Sequence, residues 1–193
     1  AAHASRIYDS GEDFSFAVSN CLDDANTRIC RKITEKGKRM GTTLAAIYAV
    51  KGSIICVNIG DTRIYHYAKG VLDQLSFDHT HAQTIVDAGQ VSQDNMSRIP
   101  DAKRLTRHLG GFPEESNLSP NISVINDVDN GDIIMLCSDG LHGSMNISLA
   151  EEILSSESNL LTACDRLTDA ALAAGSSDNV TVVLVKNAGG IGA

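Results

Sequence analysis

Apolar residues recur every three or four positions through the first part of the chain, where Val18, Cys21, Leu22, Ala25, Ile29 and Ile33 share one face. That period predicts that residues 1–36 are helical. The segment ends in a basic cluster, Arg31, Lys32, Lys36, Lys38 and Arg39 around Gly37, and positive charge suits the C-terminal end of a helix dipole. After Gly41 the pattern shortens. Thr42–Val50, Ser53–Ile59, Arg63–Ala68 and Val71–Leu75 are short runs rich in Ile, Val, Tyr and Thr, the signature of strands. Lys51-Gly52 and Lys69-Gly70 separate them at hairpin spacing, so an antiparallel meander is expected. Within it, Ile64 and His66 fall on one face and Tyr65 and Tyr67 on the other.

Residues 78–90 read as a short helix ending near Gly89, and residues 91–120, with Pro100, Gly110-Gly111, Pro113 and Pro120, as an irregular excursion with some helix. Such a segment is either a border to a binding site or a structural loop. A strand follows at Ile122–Ile125, then a turn at Asp129–Asp132 and an apolar strand, Ile133–Cys137, that runs into Ser138-Asp139-Gly140. Ser148-x-x-Glu151 has the form of a capping box and predicts a helix start. A second helix is expected from about Leu160 to Ala174, with Leu160, Leu161, Cys164, Leu167 and Ala171 on its buried side and Gly175 as its stop. Ser176–Asn179 is a polar loop, Val180–Lys186 the last strand, and the Gly-rich residues 188–193 a flexible tail. Strands clustered in sequence favour packed sheets with helices outside them. No repeat or linker divides residues 1–187, which are read as one domain.

The composition is that of a globular protein: 42% of the 193 residues are hydrophobic and 21% charged. A formal net charge of −8 argues against a nucleic-acid binder, since phosphate backbones require cations. An acidic protein still binds phosphate when divalent ions sit between carboxylates and ligand. No apolar run approaches the roughly 20 residues of a membrane span, and the first residues lack the basic start and apolar centre of a secretory signal. The five cysteines, Cys21, Cys30, Cys56, Cys137 and Cys164, are scattered and form no Cys-x-x-Cys pair. A reducing, cytoplasmic setting is therefore expected, without a disulfide framework or zinc site.

Two aspartates stand where chemistry is possible. Asp139 follows the apolar strand Ile133–Cys137, and Asp178 precedes the last strand. If these strands are neighbours with the appropriate ends together, both carboxylates meet at one sheet edge, and such hard oxygen ligands suit Mg²⁺ or Mn²⁺. The alternative is that both are turn residues. Asp78, in Phe77-Asp78-His79-Thr80-His81, is a third candidate, with capping of the next helix as its alternative. The i, i+2 spacing of His79 and His81 argues against a histidine metal site. Cys137 has no activating base nearby in sequence, and no serine stands in a nucleophile elbow. Asp61 and Arg63, in Gly60-Asp61-Thr62-Arg63, are read as bracing a turn.

Taken in order, several motifs resemble those of the metal-dependent Ser/Thr protein phosphatases of type 2C, and most of all the compact bacterial members. They are Met40-Gly41-Thr42-Thr43, Val57–Tyr65, Gln74–Thr80, Leu105–Gly110, Gly131-Asp132 through Leu141, and Ser177–Val183. The resemblance implies an α+β fold, an αββα sandwich of two antiparallel sheets flanked by helices. It implies two or three Mn²⁺ or Mg²⁺ ions at one sheet edge, with Asp139 and Asp178 as metal ligands and Asp78 at a further, weaker site beside Asp139. It also implies hydrolysis of phosphoserine and phosphothreonine in proteins by a metal-activated water, without a protein nucleophile. The irregular region after Asp78 corresponds to a variable flap linked to substrate choice. The basic cluster after residue 30 is then a solvated helix end or a patch that steers a phosphopeptide.

The family also has an N-terminal strand with an Arg-x-x-Asn-Glu-Asp-like motif, followed by Asp-Gly-x-Gly-Gly; neither stands in this sequence. Ala1–Tyr8 resembles the helix after the second motif, so the expectation is a domain short of its N-terminal strands by roughly 40 residues, the size of a strand hairpin and its flanks. Three explanations follow: a fragment, a first part supplied separately, or a non-catalytic relative. The alternative to an enzyme is an inactive pseudophosphatase or fragment acting as a protein-binding module; a nucleotide-directed hydrolase lacks a glycine-rich phosphate loop. The expected partners are a phosphorylated protein substrate and, through the unpaired sheet edge, a second copy of the chain.

Overall fold

The computed structural model describes residues 11–37, 40–50, 53–110, 118–126 and 128–189. The expected helical start before residue 11, Lys38 and Arg39, the Lys51-Gly52 turn, Pro113 and the end of the tail lie outside the described residues. The chain divides into two compact units, Ala1–Leu44 with His79–Pro120, and Ala45–Asp78 with Asn121–Ala193.

The second unit carries two antiparallel sheets. One has the order β2-β3-β7, from Leu44–Val50, Ser53–Ile59 and Asn121–Asn126; the other has the order β5-β4-β8-β9, from Val71–Gln74, Arg63–Ala68, Ile133–Cys137 and Val182–Lys186. The expected meander is thus divided. β2–β3 and β4–β5 are hairpins, but the chain changes sheet at Gly60–Thr62, so β3 and β4 do not pair. The β4–β5 hairpin closes through Lys69 (φ 54°) and Gly70 (φ 87°), the two left-handed positions of a turn whose twist matches that of its strands.

β8 is apolar along its whole length because it is covered on both faces. Ile134 joins Ile54, Cys56 and Ile64 in the layer between the sheets. Ile133, Met135 and Cys137 point the other way, with Tyr65, against three helices: α3 (Asp139–His142), α4 (Ile147–Ser156) and α5 (Leu160–Ala173). Leu141 and Leu167 are completely buried there, each worth about 1.5–3 kcal/mol relative to exposure. This is the α+β sandwich the motifs implied.

Local differences have local causes. α4 starts one residue before the expected capping box, because Asn146 accepts from the Ser148 amide at 2.9 Å. Glu151 is used elsewhere, accepting from the amide of Leu72 at 2.9 Å. In α5 the buried face is Ala163, Leu167 and Ala171, whereas Leu161 is 72% exposed. Leu160 packs partly buried against the same core, so of the five expected positions Leu161 is the one turned outward.

In the first unit, α1 (Gly11–Lys36) packs on a two-residue ladder of β1 (Gly41–Thr42) with β6 (Leu109–Gly110). The expected strand 42–50 is therefore broken at Thr43. Asn26 on α1 accepts from the Gly110 amide at 2.7 Å. α2 (His81–Asp87) and a 3-10 turn at Gln93–Arg98 complete the unit.

Candidate functional site

The register of the larger sheet decides what meets. Arg63 is opposite Cys137, and Cys137 is opposite Val182. The start of β4, the end of β8 and the start of β9 therefore share one end of the sheet. Asp61, Asp139 and Asp178 lie just beyond those three strand ends.

The loops bearing Asp139 and Asp178 are locked together. The Ser138 amide donates to the Thr181 carbonyl at 3.1 Å. The Ser138 hydroxyl donates to the Asn179 carbonyl at 3.1 Å and accepts from the Thr181 amide at 3.0 Å. Ser176 donates to the carbonyl of Gly140 at 2.8 Å. Gly140 is required by this approach, since a Cβ there would collide with the Asn179 carbonyl oxygen. Asp139 opens the single turn of α3 and is half-buried; Asp178 is exposed, and its Oδ1 accepts from the Asn179 amide at 2.7 Å.

Asp78 lies in a different setting. Its side chain is 7% exposed and both its oxygens face Arg63: Nε lies 3.0 Å from Oδ1 and 3.1 Å from Oδ2, and Nη2 lies 2.7 Å from Oδ2. Gln74 donates to Oδ1 at 3.3 Å, and Arg63 Nη1 donates to the Tyr65 hydroxyl at 3.1 Å. The segment is held by Asn58, which donates to the Phe77 carbonyl at 2.8 Å and accepts from its amide at 3.4 Å. Burial alone would make Arg63 easier to deprotonate, but Asp78 and Tyr65 outweigh it and hold the guanidinium charged. The cap of α2 is Thr80, which accepts from the Gln83 amide at 3.2 Å, rather than Asp78.

Asp61 was legible in sequence only as a turn residue. In the structure its carboxyl is held above the usual carboxylate range, first by burial and then by the negative charge of Asp139, with Asp78 adding to it. Arg63 opposes this, but its fork is engaged by Asp78. Mutual repulsion of two carboxylates at one sheet end is the electrostatic setting that a divalent cation relieves. His142, on the last residue of α3, is bonded to the Asp61 carbonyl oxygen at 2.9 Å. Burial and Arg63 lower the proton affinity of its ring.

The remaining candidates play other parts. His79 and His81 belong to the first unit, where each ring faces a guanidinium, His79 Nε2 that of Arg107 at 3.3 Å and His81 Nδ1 that of Arg104 at 3.4 Å. Burial pushes the Cys137 thiol up to about 12, which removes it as a nucleophile near neutral pH. Among the described residues, no three His, Cys, Asp or Glu side chains form a cluster able by itself to hold a metal ion. No described helix is long and apolar enough to cross a membrane.

An α+β sandwich with acidic loops gathered at one end of its larger sheet defines the class. The profile of the Protein phosphatase 2C family matches residues 1–180, and the chain belongs to that family. It is similar to the serine/threonine phosphatase stp of Listeria monocytogenes, 33% identical over 147 residues, which are 76% of this chain and 57% of that protein. Its fold is similar to that of the S. agalactiae serine/threonine phosphatase, with a TM-score of 0.83 at 25% identity over 92% of this chain and 72% of the other. A PstP catalytic domain solved with two manganese ions superposes with a TM-score of 0.73 at 29% identity, over 96% of this chain and 76% of that one. The chain thus spans 57% of the length of the Listeria protein.

Proposed function

We propose that this chain forms part of a cytoplasmic signalling phosphatase that hydrolyses phosphoserine and phosphothreonine in proteins with the help of Mn²⁺ or Mg²⁺. The observation that carries this is the convergence of the Asp139, Asp178 and Asp61 loops at one sheet end. Family membership supports it, as do the relatives named serine/threonine phosphatase and the two manganese ions of the PstP domain.

Asp139 and Asp178 are the proposed metal ligands, with Asp61 turned to the same cation site as Asp139. Asp78, whose oxygens face Arg63, is the proposed ligand of a further, weaker site beside Asp139. Bound divalent ions supply an activated water and positive charge for the phosphate oxygens. The chain's own residues orient this site: Ser138 and Gly140 fix the spacing of the two acidic loops, and half-buried Arg63 fixes the turn that carries Asp61. The partner is a phosphorylated protein. A second copy of the chain is proposed at β9, which ends the larger sheet among the described residues and exposes Val183 and Val185.

The test is Mn²⁺-dependent phosphate release from a phosphopeptide by the protein that carries this chain. Loss of at least about a hundredfold in rate is expected for Asp139→Asn, the scale of losing an electrostatic stabiliser of the transition state; unchanged turnover rejects the assignment. The second reading, a non-catalytic module that binds a partner protein, is favoured by the lack of a three-ligand cluster among the described residues. Calorimetry discriminates, since tight binding of two Mn²⁺ ions by this chain counts against the module.

A further inference from the structure

We propose that His142 is a positioning residue that sets the spacing of the Asp61 and Asp139 carboxylates by holding the backbone of the Asp61 turn. This deepens the metal-site reading above and rests on it. The acceptor of the 2.9 Å bond is the Asp61 carbonyl oxygen, which has no proton to give, so Nε2 carries the proton and donates. Its ring is half-buried, where losing that bond leaves a desolvated carbonyl unpaired.

The geometry makes the bond a tie rod. α3 is a single turn, closed by the Gly143 amide on the Asp139 carbonyl at 2.8 Å. Its first residue is Asp139 and its last is His142, three positions apart and hence on neighbouring faces. Leu141 between them is completely buried, which anchors the turn in the core. A rigid path thus runs from the Asp139 carboxylate through one helical turn to the imidazole and on to the Asp61 peptide. The other end of the Asp61 turn is held by Arg63, two residues on, through Asp78. Preceding Asp61 is Gly60 with a φ of 96°, a left-handed position, so the turn has a hinge on one side and is held on the other. Two carboxylates that repel each other drift apart unless something holds them, and the His142 bond is a tether that links their two loops directly.

The experiment is calorimetric titration of the full chain with Mn²⁺ alone, with the thermal midpoint of each metal-free variant as a control. His142→Leu, which removes the donor, is expected to weaken Mn²⁺ binding about tenfold, and His142→Gln, which keeps an amide donor, to stay within about threefold of the wild type. Wild-type affinity in His142→Leu overturns the proposal, as does an equal loss in the Gln variant. Should His142→Leu fail to fold, the tautomer decides: a long-range ¹H–¹⁵N spectrum of the metal-free wild type is expected to show the proton on Nε2, and a proton on Nδ1 overturns the proposal. Asp139→Asn separates the two claims. Lost binding there with retained binding in His142→Leu defeats only the positioning role, whereas no Mn²⁺ binding by the wild type defeats the metal reading and the proposal with it.

Discussion

At the scale of single residues, the pair of half-buried Arg63 with buried Asp78 and the pair of Asp61 and Asp139 make opposite statements about stability. Asp78 has nearly every acceptor position filled, so Asp78→Ala leaves Arg63 desolvated and unpaired. That variant is expected to lose about 3–5 kcal/mol of unfolding free energy, read from the shift of a urea midpoint, while Arg63→Met with Asp78→Leu recovers most of the loss. An unshifted midpoint in Asp78→Ala would mean that the pair is not buried in solution. Asp61 runs the other way. Its folded carboxyl binds a proton more tightly than that of the unfolded chain, because burial and Asp139 disfavour its charge. Ionised Asp61 therefore opposes folding at neutral pH, and the opposition fades as pH falls through the carboxylate range. Metal-free Asp61→Asn is expected to melt above the wild type at pH 7 and level with it at pH 4; a lower midpoint at pH 7 refutes the repulsion. A site that destabilises its own apo state is consistent with selection for cation binding over stability.

At the scale of elements, β8 and α5 were legible because each rests on local periodicity, whereas the break at Thr43 and the single turn of α3 were not. β8 falls at Ile133–Cys137 as the apolar run indicated, and α5 begins at Leu160. Helix caps were less legible, because a Ser-x-x-Glu pattern and a nearby asparagine compete for the same amides. Asn159 accepts from the amides of Leu161 and Thr162 at 2.8 and 3.2 Å, so Asn159→Ala is expected to cost about 1 kcal/mol. Ser148→Ala, by contrast, is expected to change stability by less than about 0.5 kcal/mol, since this exposed hydroxyl is not the cap of α4. Equal losses in chemical denaturation would restore the capping box. The division of the meander was not legible either. Nothing in Gly60–Thr62 differs from a hairpin turn in composition; only the apolar layer between the sheets shows that β3 and β4 face one another instead of pairing.

At the scale of the whole molecule, the edge that β9 forms among the described residues sets a further expectation. Val183 and Val185 stand opposite Leu136 and Ile134 in register, on the strand face directed to the inter-sheet layer, yet they are exposed. Sedimentation is expected to show a dimer of the chain at micromolar concentration, and the double variant Val183→Lys with Val185→Lys a monomer; a monomeric wild type removes the homodimer.

The sequence by itself determined the class of fold, the order of its elements and the acidic motifs at strand ends, because hydrophobic period, turn residues and motif order are properties of neighbours along the chain. Which carboxylates meet was settled by tertiary structure alone. Sheet register aligned the ends of β4, β8 and β9, and the fork of Arg63 took up Asp78 while Asp61 feels the charge of Asp139. Charge neutralisation is a matter of a few ångströms between residues 15 to 78 positions apart, and no local pattern encodes a distance of that kind.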